Sequence, residues 1–117
     1  KAWLDQEEEP LAFCRLTQMS LLRLVTNPAV TGKDTLTRRE AWDLVERFLA
    51  DPRIGFLAEP DDLIPLWAAF SRRDDRHHLL WTDDYLAAFA LGSGAELVTL
   101  DRPFRKRYPS VNVLLLQ

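Results

Sequence analysis

The sequence predicts an α/β fold: one domain in which a parallel sheet carries helices on both faces, in three layers. Three observations lead there. Short apolar runs at 11–16, 54–58, 96–100 and 111–116 alternate with longer stretches of helical periodicity. The short runs are almost continuous in apolar residues, as expected of parallel strands that are buried on both faces. The chain of 117 residues also holds no repeat, low-complexity tract or long linker that would divide it.

The elements follow in order. Residues 1–9 read as a helix that stops before Pro10. Leu11–Leu16 reads as a short strand, and Thr17 is placed to cap a helix running to Thr26, where TNP ends it. TGKDT is a loop. From Leu36 or Thr37 to Ala50, residues Ala41, Leu44, Val45, Phe48 and Leu49 fall on one helical face, and Asp51-Pro52 closes the helix. Ile54–Ala58 is a second strand. EPDDLIPLWAAFSRR opens a further helix, with Asp61 and Asp62 in or just before its first turn, where the helix dipole favours carboxylates. A polar loop at 74–80 leads to a helix from Asp83 to about Leu91, capped by Thr82 and stopped by GSG. Glu96–Leu100 is a third strand, DRPFRKRYPS a loop, and Val111–Leu116 the last strand.

Composition narrows the function classes. Apolar content of 47% and charged content of 28% are those of a soluble globular domain. No apolar run approaches the roughly eighteen residues of a membrane span, and no signal-peptide pattern is present. A lone cysteine, Cys14, cannot form an internal disulfide; it reads as a small core residue and fits a cytoplasmic protein. Net charge of −3 excludes a uniformly basic nucleic-acid surface. Yet Arg102, Arg105, Lys106 and Arg107 cluster just after Asp101. They form either a solvated loop or a basic rim that draws phosphates toward an acidic site. The four tryptophans, Trp3, Trp42, Trp67 and Trp81, fall on apolar faces and read as core or dimer contacts rather than base-stacking platforms. The DDRHH stretch, with His77 and His78, reads as a loop leading into a helix rather than a metal cluster.

Chemistry concentrates in WTDDYLAAFALGSGAELVTLDRPF, residues 81–104. Asp83 opens a helix, and Asp101 follows a strand at its carboxyl end, where open parallel sheets bind ligands. In period two, Thr99 shares a strand face with Asp101. Converging carboxylates repel, and a divalent cation with hard oxygen ligands offsets that repulsion. Each acid also has a plainer reading: Asp83 as an ordinary first-turn carboxylate, Asp101 as a turn former.

The same stretch resembles the C-terminal signature of PIN-domain ribonucleases, specifically the VapC-type toxins of toxin–antitoxin pairs. That pattern is T-D-x-x-L-A-A-x-A, a small-residue break, then L-V-T-x-D-x-x-F. Thr82, Asp83, Leu86, Ala87, Ala90, Leu97, Val98, Thr99, Asp101 and Phe104 fit it. Upstream, FCRLTQMSLLRLVTNP and AWDLVERFLADPRIGFLAEP are similar to the family's earlier strand–helix and helix–strand segments.

The resemblance implies an endoribonuclease that uses Mg²⁺ or Mn²⁺ to hydrolyse RNA phosphodiesters by activated water. Asp83 and Asp101 would hold the metal, Thr99 would support them, and Arg102, Arg105 and Arg107 would hold the RNA backbone. It further implies a homodimer and an antitoxin partner that delivers a blocking side chain, often Arg, to the acids. Where the family has a Glu near the start of its second helix, this chain has Gln18, whose amide oxygen can bind Mg²⁺ or a coordinated water without supplying charge; Glu40 is a distant substitute. Arg15 and Arg23 are candidates to pair with site carboxylates or to contact RNA. The family's opening strand, L-D-x-N-x-L with its own Asp, has no counterpart. The expectation is a single PIN-like domain over 1–117 lacking that strand and part of the first helix. Opening on Lys1 in mid-helix favours a fragment over a truncated, inactive relative. The alternative function is a catalytically impaired PIN-like module that binds RNA or an antitoxin without cleavage. A receiver-like phosphotransfer fold is disfavoured because the acidic pair and the lysine it needs are both missing from their expected places.

Overall fold

The computed structural model describes residues 11–99 and 101–115. The expected helix over 1–9, Trp3, and the outer ends of two strands at Leu100 and Leu116 lie outside the described residues. The chain forms two compact units, Lys1–Ala58 and Glu59–Gln117.

In the first unit, β1 (Leu11–Phe13) pairs in parallel with β2 (Ile54–Phe56), placing Leu11 opposite Ile54 and Phe13 opposite Phe56. Three helices connect them, the middle one a single turn. Helix α1 (Arg15–Val25) starts earlier than its sequence suggests. Thr17 does not cap it from outside; it is the third helical residue and reaches back, its Oγ1 accepting from the Cys14 N–H at 2.9 Å. The strand is correspondingly shorter than Leu11–Leu16. Past the TNP stop, Pro28–Thr31 makes one further helical turn, α2, and within the expected TGKDT loop Gly32–Asp34 forms a turn of 3-10 helix. Asn27 Oδ1 accepts from the Ala29 N–H at 3.0 Å, and Pro28 stands at the first helical position, where its missing N–H costs nothing.

Helix α3 (Arg38–Ala50) begins where expected. Thr37 Oγ1 accepts from the Glu40 N–H, and Glu40 Oε1 accepts from the Thr37 N–H at 2.8 Å. That reciprocal cap explains Glu40 without any catalytic part. Ala41 and Val45 are buried on the expected apolar face, and Phe48 meets Phe13 with ring centroids 6.3 Å apart. Leu49 and Trp42, in contrast, are exposed. Cys14 is buried and unpaired, as its apolar setting implied.

In the second unit, α4 (Leu63–Ser71) and α5 (Trp81–Ser93) pack together, and β3 (Leu97–Thr99) pairs in parallel with β4 (Val113–Leu115). The helix–helix approach is close because position 92 is glycine. A Cβ there would stand 2.7 Å from Asp62 Oδ1 and 2.9 Å from Pro60 Cγ. Helix α5 starts at Trp81, ahead of Thr82, and its end is set by Gly94 in the left-handed region at φ 64°. No side chain caps its start; Asp83 and Asp84 in the first turn meet the dipole instead.

The DRPFRKRYPS segment is not a loop over its whole length. Arg102–Arg107 forms a short helix, α6, with Asp101 at the N-cap position and Pro103 in the first turn. Phe104 anchors it, buried with Ala87, Ala90, Tyr108, Val111 and Val113 in this unit's core. One apolar residue in six gives no periodicity, so the sequence conceals the helix. Both sets of strands pair in parallel, which bears out the α/β class.

Candidate active site

The second unit brings Asp83 and Asp101 together. Strand β3 delivers Thr99, and Asp101 follows at its carboxyl end, its N–H donating to Thr99 Oγ1 at 3.0 Å. The first turn of α5 presents Asp83. The last residue of α6, Arg107, spans both acids: its Nη2 donates to Asp83 Oδ2 at 2.7 Å and to Asp101 Oδ2 at 3.3 Å. The two carboxylates therefore lie within two hydrogen-bond lengths of each other across a single cation.

Their environments differ. The Asp83 side chain is 30% exposed and that of Asp101 45%, so the site opens to water at the strand end. Burial pushes the Asp83 carboxyl above its ordinary range; the charge of Arg107 opposes that, while Asp101 and Asp84 reinforce it. Behind the pair, the buried carboxylate of Asp84 accepts a hydrogen bond from the Tyr108 hydroxyl. Burial, and then this bond and the charge of Asp84, raise the Tyr108 hydroxyl well beyond its ordinary value, so it stays a donor. The Nε of Arg107 is buried without a hydrogen-bond partner. Its guanidinium is thus positioned by its outer nitrogen and by the face of Tyr108, 5.8 Å from the ring centroid.

Four expected site residues, Asp83, Asp101, Thr99 and Arg107, thus meet in one place. The other two arginines do not join them. Arg105 donates to the Val113 carbonyl at 3.3 Å, and Arg102 is exposed on α6. Gln18 belongs to the first unit, where it is buried in the first turn of α1 and accepts from Arg15; the Arg15 guanidinium in turn lies 4.6 Å from the Phe56 ring centroid. His77 and His78 lie in an exposed loop, with the His77 N–H donating to Asp75 Oδ1 at 3.0 Å. The Asp84–Tyr108 pair escaped the sequence reading. A double Asp at a helix start was its trace, since neighbouring helical positions point in different directions and cannot both face one site.

Among the described residues no group of three or more His, Cys, Asp or Glu side chains could hold a metal ion. Two carboxylates alone still suit Mg²⁺, which keeps several waters and binds through one or two protein carboxylates plus substrate phosphates. The all-oxygen donor set and the crowding of the two charges fit such an ion.

Residues 1–108 match the PIN domain. The chain belongs to the PIN-domain family. Over 122 aligned residues it is 48% identical to the protein named ribonuclease VapC41 in two strains of Mycobacterium tuberculosis, CDC 1551 / Oshkosh and ATCC 25618 / H37Rv. Each alignment covers 99% of this chain and 83% of the relative. The PIN domain is a three-layer α/β fold, in agreement with the class read from the strand and helix pattern. The stretch with Asp83, Thr99 and Asp101, on which the resemblance rested, lies inside the matched residues.

Proposed function

We propose that this PIN-domain chain is a metal-dependent endoribonuclease, the toxin of a toxin–antitoxin pair. The convergence of Asp83 and Asp101 on one guanidinium nitrogen carries this reading. In the absence of metal, Arg107 supplies the positive charge that two neighbouring acids require. Asp83 and Asp101 would hold Mg²⁺ or Mn²⁺, which would supply the Lewis acidity for activating water and for stabilising the leaving oxygen of a phosphodiester. Thr99 fixes the backbone of Asp101, and so the direction of its carboxylate. Arg102, Arg105 and Arg107, all on α6, would meet RNA phosphates.

This reading takes 1–117 as one PIN-like domain that works in the cytoplasm as a homodimer and is held inactive by a cognate antitoxin. No helix among the described residues is long and apolar enough to cross a membrane. The engagement of Gln18 with Arg15, in a position where a charged ligand is expected, favours a second reading: a module that binds RNA or antitoxin without cutting. Incubating single-stranded RNA with the chain in Mn²⁺, Mg²⁺ or EDTA separates the two. The nuclease gives metal-dependent fragments that Asp83→Asn and Asp101→Asn each abolish. Intact RNA under every condition supports the binding module.

A further inference from the structure

A cavity of about 530 Å³ lies in the second unit, walled by the 74–80 loop, the start of α5 and the end of α6. Its volume is within the range of about 300–1,000 Å³ that small-molecule ligands occupy. Arg73, Arg76, His77, His78, Trp81 and Arg107 give the wall its character. Two carboxylates also reach it, Asp75 accepting from the His77 N–H and Asp84 from the Tyr108 hydroxyl; Arg73, whose Nε donates to the Phe70 carbonyl, Arg76 and Arg107 outnumber them. The sequence places Trp81 in a core or dimer contact, yet it is 56% exposed.

An indole and arginines lining one cavity match the two halves of a nucleotide. A base stacks on the aromatic face, and guanidinium groups take the phosphate. The location matters as much as the composition. Trp81 precedes Asp83 by two residues in the first turn of α5, and Arg107 both lines the cavity and bridges the two acids. Arg107 is the link: Asp83 and Asp101 do not themselves line the cavity, and a nucleotide seated there lies beside the guanidinium that holds both acids.

We propose that this cavity seats one nucleotide of the RNA substrate beside the bond to be cut, with its base against Trp81 and its phosphate on Arg73 and Arg76. The proposal rests on the nuclease reading and adds a base-stacking face and two further arginines to the phosphate contacts that reading assigns.

The test is fluorescence anisotropy in EDTA, where no cleavage occurs, using a short fluorescein-labelled single-stranded RNA and an abasic strand of equal length. Trp81→Ala should weaken binding to the RNA about tenfold and leave the abasic strand unaffected. Trp81→Phe, which keeps a stacking face, should restore most of the affinity. Arg73→Ala with Arg76→Ala should weaken both strands and flatten the salt dependence by about 0.7 for each phosphate no longer neutralised. Trp81 also meets Trp67 edge-on, with ring centroids 6.4 Å apart, so matched thermal unfolding checks that its replacement leaves the fold intact. Unchanged RNA affinity in Trp81→Ala, or an equal weakening on the abasic strand, overturns the proposal and leaves the cavity to a protein partner. Cleavage in Mn²⁺ is scored separately. Wild-type cleavage with unaltered Trp81→Ala binding sinks the cavity alone, whereas weakened Trp81→Ala binding without any wild-type cleavage upholds the cavity and sinks the nuclease reading.

Discussion

The Nη2 of Arg107 donates to both Asp83 and Asp101, holding two acids from different elements of the second unit on one positive charge. A divalent cation in the same place would compete with it directly. Arg107→Met should therefore do two opposite things. Without metal, the acids lose their counter-charge, and stability falls by about 1 kcal/mol, a figure kept small because all three side chains are partly exposed. With metal, Mn²⁺ should bind several-fold more tightly because nothing has to be displaced. Thermal unfolding in EDTA and calorimetric Mn²⁺ titration read the two effects, and an unchanged Mn²⁺ affinity would count against the competition.

Acidity gives a second expectation. Burial raises the Asp83 carboxyl, so the folded chain keeps a proton that the unfolded chain has already released. Stability is thus lost as pH rises from the ordinary carboxylate range through the raised value of Asp83. Asp83→Asn removes this ionisation. In EDTA the variant should have a flatter profile of melting temperature against pH, gaining on the wild type across that window. A profile steeper than that of the wild type would contradict the sign.

Tyr108 offers a test of the layer beneath the site. Tyr108→Phe keeps the ring that meets Phe70 edge-on, with centroids 5.4 Å apart, but leaves the buried Asp84 carboxylate without its hydroxyl donor. The expected loss is about 1–3 kcal/mol in chemical denaturation. A loss well below that would mean that water reaches Asp84.

Helix packing provides a fourth. Gly92→Leu forces a side chain into space already filled by Asp62, Pro60 and Leu66, and should destabilise the chain by about 1–3 kcal/mol. A neutral result would show that α4 and α5 part easily.

Some elements are legible in the sequence and others are hidden, for identifiable reasons. Helix α3 announces itself through an apolar face on which Ala41 and Val45 are buried, whereas the cap that engages Glu40 shows only in the structure. The end of α5 is marked by Gly94, because few other residues adopt its left-handed backbone. Helix α6 is invisible: six residues with one buried anchor carry no period. Thr17 misleads because a hydroxyl that caps from the third helical position looks, in sequence, like one that precedes the helix. Trp42 and Trp81 mislead differently, since large apolar residues at helical spacing imply burial and both are more than half exposed. Asp83 and Asp101, with Thr99 beside the second, are legible as a cluster through helix start and strand end. The inward turn of Arg107 is not, because nothing in a basic run shows which cation leaves the solvent.

One measurement bears most directly on the acidic site: Mn²⁺ binding followed by electron paramagnetic resonance in the wild type, Asp83→Asn and Asp101→Asn. If both acids hold one ion, each substitution weakens binding at least about tenfold, the loss of roughly 1.4 kcal/mol that separates a ligand from a bystander. If either variant binds Mn²⁺ as the wild type does, the two carboxylates do not form one metal site, and their meeting at Arg107 is structural.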